Sequence, residues 1–113
     1  MAWSEWKKFS REPLAIVRIA TKQNAIAKSE NTTITIPNNG RYTIDMLAVS
    51  NTYTDTTFNC LRNGTSILSV KATTTDFYKT IKEEIELSEG DVLTFSSVGS
   101  QNNALSYCEA IIK

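Results

Sequence analysis

The sequence contains no histidine, and that absence removes the commonest general base and metal ligand. It has four glycines, none placed to form a phosphate-cradling loop, and its serines lie in no nucleophile elbow. There are two cysteines, Cys60 and Cys108, far apart and in no metal-ligand spacing. Neither has the neighbours of an activated thiol, so both read as buried small hydrophobes. A disulfide between them would contribute on the order of 2–4 kcal/mol, but the expected intracellular origin argues against one. No stretch reaches the roughly 18 to 20 apolar residues that cross a bilayer. Basic residues precede Ile16-Val17-Ile19, yet Arg18 interrupts that run and no cleavage site follows it. The expectation is a chain used whole, made in a cytoplasm without a signal peptide and without membrane insertion. Net charge is zero, from 12 basic and 12 acidic residues. Nucleic acid, which demands a cationic surface, is therefore not an expected partner.

What is present is β-sheet chemistry. Threonine favours strands, and asparagine and serine favour turns. The length of 113 residues suits one domain. The segment from Thr32 to Ser50 organises the reading. Thr33, Ile34, Thr35 and Ile36 alternate before a Pro37–Gly40 turn, and Tyr42, Ile44, Met46 and Ala48 recur at every second position after it. A period of two marks half-buried strands. Gly40 is taken to supply a positive φ at the end of that turn.

The same periodicity continues through Thr57–Arg62, Ser66–Ala72, Phe77–Leu87, Val92–Val98 and Ala104–Ile112, with a first strand at Leu14–Ala20. Asn63-Gly64 is the strongest hairpin signal, suited to a type I′ turn. The sum is an antiparallel β-sandwich of about eight strands, its domain spanning residues 13–113. Within the polar connection 21–30, Ala25-Ile26-Ala27 has the makings of a short strand. Glu83 shares the phase of Phe77, Ile81, Ile85 and Leu87, which places Glu83 near an edge or signals a slip of phase. The run Glu83, Glu84, Glu86, Glu89 and Asp91 reads as a solvated edge that resists aggregation. A carboxylate pair for catalysis could come only from distant positions such as Asp45, Asp55 or Asp76, so no enzyme, metal or cofactor is expected.

Strands alternating up and down put the tight turns 37–40, 63–65 and 88–91 at one end, with both termini. The longer connections 21–30, 51–56, 73–76 and 99–103 fall at the other. Loops on a rigid scaffold carry recognition, so the long-loop end is the candidate binding end. Tyr53 offers an aromatic face for a sugar ring, and Asn51, Asp55, Asn102 and Asn103 offer partners for its hydroxyls. Phe77 and Tyr78 are further aromatics there. Ordinary loop residues without a ligand are the alternative.

Two strands are apolar on both faces. Met46 and Ala48 oppose Leu47 and Val49, and Cys108 and Ala110 oppose Leu105, Tyr107 and Ile111. If these strands are neighbours, Leu47, Val49, Leu105, Tyr107 and Ile111 form one apolar outer surface, which suggests a subunit interface. Cover by residues 1–12 or 21–30 is the alternative. Residues 1–12 form a polar leader with Trp3, Trp6 and Phe9 at helical spacing, too short to be stable alone. It either folds back on the domain or serves as an assembly anchor through Trp3 and Trp6; Pro13 ends any helix there.

I-T-I-P-N-N-G-R-Y-T-I (34–44), L-R-N-G (61–64), I-E-L-S-E-G-D-V-L-T-F (85–95) and the closing A-L-S-Y-C-E-A-I-I-K resemble, in that order, the small jelly rolls of the tumour-necrosis-factor and complement-head type. The resemblance spans roughly residues 14–112. The chain is expected to be without the collagen stalk, signal peptide and membrane anchor of the cellular members, and is in that respect more similar to the jelly-roll heads of bacteriophage tail and baseplate proteins. The resemblance implies a homotrimer packed through the sheet of the third, sixth and last strands. It also implies a virion tail component that recognises a host surface saccharide, with other virion or tail proteins as partners through the leader. A structural decoration unit without a ligand is the alternative.

Overall fold

The structure, a computed structural model, describes residues 13–22, 25–99 and 104–113. Nine strands occur among them: β1 (Ala15–Lys22), β2 (Ala25–Glu30), β3 (Thr33–Thr35), β4 (Gly40–Val49), β5 (Thr56–Arg62), β6 (Thr65–Ala72), β7 (Tyr78–Leu87), β8 (Val92–Val98) and β9 (Ser106–Ile112). They form two antiparallel sheets, ordered β2-β1-β9-β4-β7 and β3-β8-β5-β6. The described residues contain no helix.

The expected eight strands become nine because 21–30 is not a loop. β1 runs on to Lys22, and β2 pairs with it from Lys22↔Ala25 to Arg18↔Glu30 across a bulge at Ala20/Thr21. β2 and β3 then form one descending run that changes sheets at Asn31, whose φ is 54°. Asparagine tolerates this left-handed conformation because its short side chain bonds locally. Here its Nδ2 donates to Ile16 O at 2.9 Å, and Phe95 N donates to Thr32 O at 2.8 Å as the chain enters the second sheet.

Alternation places one row of each strand between the sheets. Ile44, Met46, Ala48, Phe58, Cys60, Leu93, Cys108, Ala110 and Ile112 are all essentially inaccessible to solvent. Phe58 and Phe95 meet with ring centroids 5.8 Å apart at a 36° tilt, in the offset range that aromatic pairs prefer. In β1 the inward phase belongs to Val17, Ile19 and Thr21, leaving Ile16 and Arg18 outside. β7 is an edge strand. Glu83 faces Ile44 in register, on the inward phase, yet stays exposed at the rim. The alternation in β7 therefore does not slip; Glu83 is an inward charge at a sheet edge, a device that blunts edge-to-edge pairing.

The alternating directions hold, so the tight turns and both strand termini share one end. Asn63 (φ 51°) and Gly64 (φ 86°) have the left-handed dihedrals of a type I′ hairpin. Gly40 does not: it is not among the positive-φ residues and instead begins β4. At this end the Asp91 carboxylate accepts bonds from Ser88 N (2.8 Å), Asn63 Nδ2 (3.0 Å) and Arg62 Nε (3.0 Å). Glu89 N reaches Asn39 Oδ1 at 2.7 Å.

Candidate functional site

Two surfaces were expected to carry function, the long-loop end and the outer face of β4 and β9. The first is built where β4, β6 and β8 end and β5, β7 and β9 begin. Polar side chains close the core there: Thr21, Ser50, Thr56 and Ser106 are all buried. Ser50 Oγ donates to Thr73 O, and Ser50 N to Phe77 O at 2.9 Å, tying the 50–55 loop to 73–77.

Asn51 lies at the centre of this scaffold. Its Oδ1 accepts from Tyr53 N at 2.9 Å and Thr54 N at 3.0 Å, an Asx-type turn. Its Nδ2 donates to Ser106 Oγ at 3.2 Å, joining the loop to β9. Asp55 accepts from Thr74 N at 3.0 Å and pairs with Lys71 at 3.5 Å. Asp76 pairs with Lys79 at 2.6 Å. Asn51 and Asp55 thus shape the loops with the same atoms that a sugar hydroxyl would need. Tyr53 is different. Only its backbone is tied, and the residue is 73% exposed. Asn102 and Asn103 lie outside the described residues, as do Trp3 and Trp6.

Exposed apolar side chains concentrate at this end. Tyr53, Tyr78, Val98, Leu105 and Phe77 are all exposed and border the long loops, and Ile26, also exposed, stands at the same end beside the β1–β2 connection. Leu14 is the sole exposed large hydrophobic described at the opposite end. Sequence reading found Tyr53, Phe77 and Tyr78 from their loop positions. It missed Ile26 and Val98, whose exposure depends on which strands end there.

The second surface is the outer face of the five-stranded sheet. β9 pairs with β4 from Ile112↔Ile44 to Tyr107↔Val49, so the two doubled strands are neighbours. Leu47, Val49, Tyr107 and Ile111 share that outer face, and β7 adds Tyr78 opposite Val49. Leu105 lies outside the paired strand. β9 begins at Ser106, where pairing with Thr21 starts, and Leu105 stands before it at the loop end, 58% exposed. β2 extends the sheet at its far edge and so does not lie across this face.

A groove runs along this face. One depression of about 360 Å³ is lined by Asp45, Leu47, Tyr78, Lys82, Glu109 and Ile111, with Thr80. A second of about 160 Å³ shares Asp45, Lys82 and Ile111 and continues to Thr43 and Lys113 at the tight-turn end. Asp45 and Lys82 stand opposite each other in the β4–β7 register, yet no ion pair joins them among the described residues. Glu109 is engaged with Arg18 at 3.4 Å, and Arg18 with Glu30 at 3.1 Å. The bond from Arg18, followed by one from Lys28, holds the Glu30 carboxyl below its ordinary range.

Both cysteines are free and buried. Burial pushes the Cys60 thiol up to about 12 and the Cys108 thiol up to about 11, the latter despite a 3.3 Å contact with Ser97 Oγ. Among the described residues no group of three carboxylates or thiols is arranged to hold a metal ion.

The sheet order and strand directions are those of a jelly roll of the tumour-necrosis-factor type, and solved structures agree. The crystal structure of pika GITRL superposes with a TM-score of 0.52 at 14% identity, over 85% of this chain and 93% of that one. Rabbit GITRL does so with a TM-score of 0.52 at 13% identity, over 86% and 93%. A β-glucosidase from Paenibacillus barengoltzii matches at a TM-score of 0.46 and 26% identity, over 70% of this chain and 9% of that chain. No protein-family model matches the sequence, and no curated protein matches it. At these identities the likeness is one of fold.

Proposed function

We propose that this chain is a non-enzymatic binding head, a virion tail or baseplate component that recognises a host surface saccharide with its long-loop end and self-associates as a homotrimer through the outer face of β9, β4 and β7. The observation that carries the reading is the gathering of exposed apolar side chains at one end of the sandwich, with Tyr53 73% exposed at its tip. A sugar ring presents C–H groups that stack on such a face, and the loops beneath Tyr53 are cross-linked by Asn51 and Asp55, so the backbone that carries the ring is ordered before binding. The outer-face apolar side chains Leu47, Val49, Tyr107 and Ile111, with Glu109 opposite Leu47 and Asp45 opposite Ile111, support self-association through a mixed apolar and charged surface.

Glycan-array and host-cell binding with the wild-type chain and Tyr53→Ala test the recognition. Binding that falls tenfold or more in the variant is the expected result. A wild-type protein that binds no saccharide and no cell removes the reading. Light scattering behind size exclusion tests the oligomer, with Val49→Asp expected to release monomers.

A second reading, an assembly or decoration unit without a small ligand, is favoured by one observation. The polar groups of Asn51 and Asp55 already have protein partners, which leaves a sugar few free hydrogen-bonding groups among the described loop residues. In that case docking through Trp3 and Trp6 would persist in Tyr53→Ala.

A further inference from the structure

We propose that the groove on the outer face of β9, β4 and β7 is the docking site of the chain's own leader, residues 1–12, with the Trp3 and Trp6 indoles as its anchors. The inference concerns what lies in the groove and does not depend on the saccharide reading.

The place where the leader joins the domain comes first. Leu14 N donates to Ile112 O at 2.7 Å, and Ile16 pairs with Ile111. Ile111 is also a lining residue of both depressions, so the leader departs from the domain beside the groove's wall. The smaller depression, with Lys113 and Thr43, opens at this same tight-turn end.

Length agrees as well. From Thr43 to Leu47 on β4 the groove runs four residue steps, roughly 13 Å at strand rise. Twelve residues span about 18 Å when coiled as a helix and up to ~40 Å when extended. The floor of the groove lies about two strand spacings, ~10 Å, from β1. The leader reaches it in either conformation.

The chemistry is complementary. An indole brings a large apolar surface with one N–H donor. Leu47, Ile111 and the Tyr78 ring supply apolar walls, and Asp45 and Glu109 supply acceptors within them. Lys82, which has no ion-pair partner among the described residues, is placed to lie against an aromatic face. The leader carries Lys7, Lys8 and Arg11 towards a groove with two carboxylates, and Glu5 towards Lys82. Docking covers Leu47 and Ile111. It leaves Val49 and Tyr107, together with the leader's outward side, as the surface met by a sister subunit.

Trp3 and Trp6 are the only tryptophans, so intrinsic fluorescence of the full chain reports on the leader alone. At concentrations where light scattering gives a monomer, the expected emission is blue-shifted, with acrylamide quenching reduced about threefold or more relative to a free tryptophan amide. Trp3→Phe and Trp6→Phe separate the two reporters. Leu47→Asp and Ile111→Asp, each at a half-buried surface position, are expected to restore solvent-exposed emission while the circular dichroism of the domain is unchanged. Exposed emission in the wild-type monomer overturns the proposal. So does protection that survives both groove variants, and so does protection that appears only as the protein associates, since the occupant is then a second copy. A chain monomeric at every concentration with protected tryptophans would remove the homotrimer and leave this docking intact.

Discussion

At Asp91 one carboxylate ties the 63–64 hairpin to the 88–91 turn. Its ordinary pKa is lowered chiefly by the Ser88 amide, then by Asn63, with Arg62 adding to the effect. These donors favour the ionised form, and they are assembled only in the folded chain. A folded-state pKa held below the unfolded value near 3.9 means that the stabilisation is complete above that pH and is lost as pH falls through the folded value. Asp91→Asn is therefore expected to lower Tm by several degrees at pH 7. The gap between variant and wild type should close as acid is added below about pH 4. Thermal melts from neutral to acid pH read this directly, and a gap that widens on acidification would contradict it. The residue scale is also where the sequence spoke most clearly. Asn63-Gly64 declares a type I′ turn by local chemistry alone, and the dihedrals agree. The role of Asn51 was not legible, because its partner Ser106 is 55 positions away and nothing local announces the contact.

Elements were legible in proportion to their burial. β4 and β9 alternate cleanly because both of their neighbours lie in the same sheet and one row of side chains is fully buried. β2 left only the A-I-A fragment as a signal, because it is an edge strand whose Ile26 is 63% exposed. Its continuation into β3 turns on a left-handed Asn31, a conformation that composition does not reveal. Gly40 was misread for the opposite reason: a Pro-Asn-Asn-Gly string advertises a turn glycine, yet the turn closes before it and Gly40 already belongs to β4. β7 permits a direct test of the edge. Glu83 interrupts an inward row of Ile81, Ile85 and Leu87, so Glu83→Ile completes that row. Stability should change by no more than about 0.5 kcal/mol, as at other exposed positions. Solubility should fall, because an edge without its inward charge offers a regular template to other chains. Urea titration and light scattering separate the two effects. Unchanged solubility would deny Glu83 this protective part.

At the scale of the whole molecule, the directions of the strands separate the two ends of the sandwich. Residues near 14 and 112 sit with the tight turns, and the exposed aromatics sit with the long loops at the other end. That polarity predicts how the protein tolerates attachment. Cys60 and Cys108 are buried, with thiols pushed up to about 12 and about 11, so a maleimide near neutral pH should select an added surface cysteine over both. Glu89→Cys places the tether among the tight turns, and Thr52→Cys places it one residue from Tyr53. Both positions are exposed. A surface coated through position 89 is expected to capture the saccharide or host cell identified in the binding screen with the affinity seen in solution. Coating through position 52 should weaken capture at least tenfold, because the support then occupies the proposed recognition end. Equal capture by the two surfaces would mean that binding does not use the long loops. The reverse order would move the site to the turns held by Asp91. Either result would leave the jelly roll intact, since the fold rests on sheet pairing and a shared core rather than on which end meets a ligand.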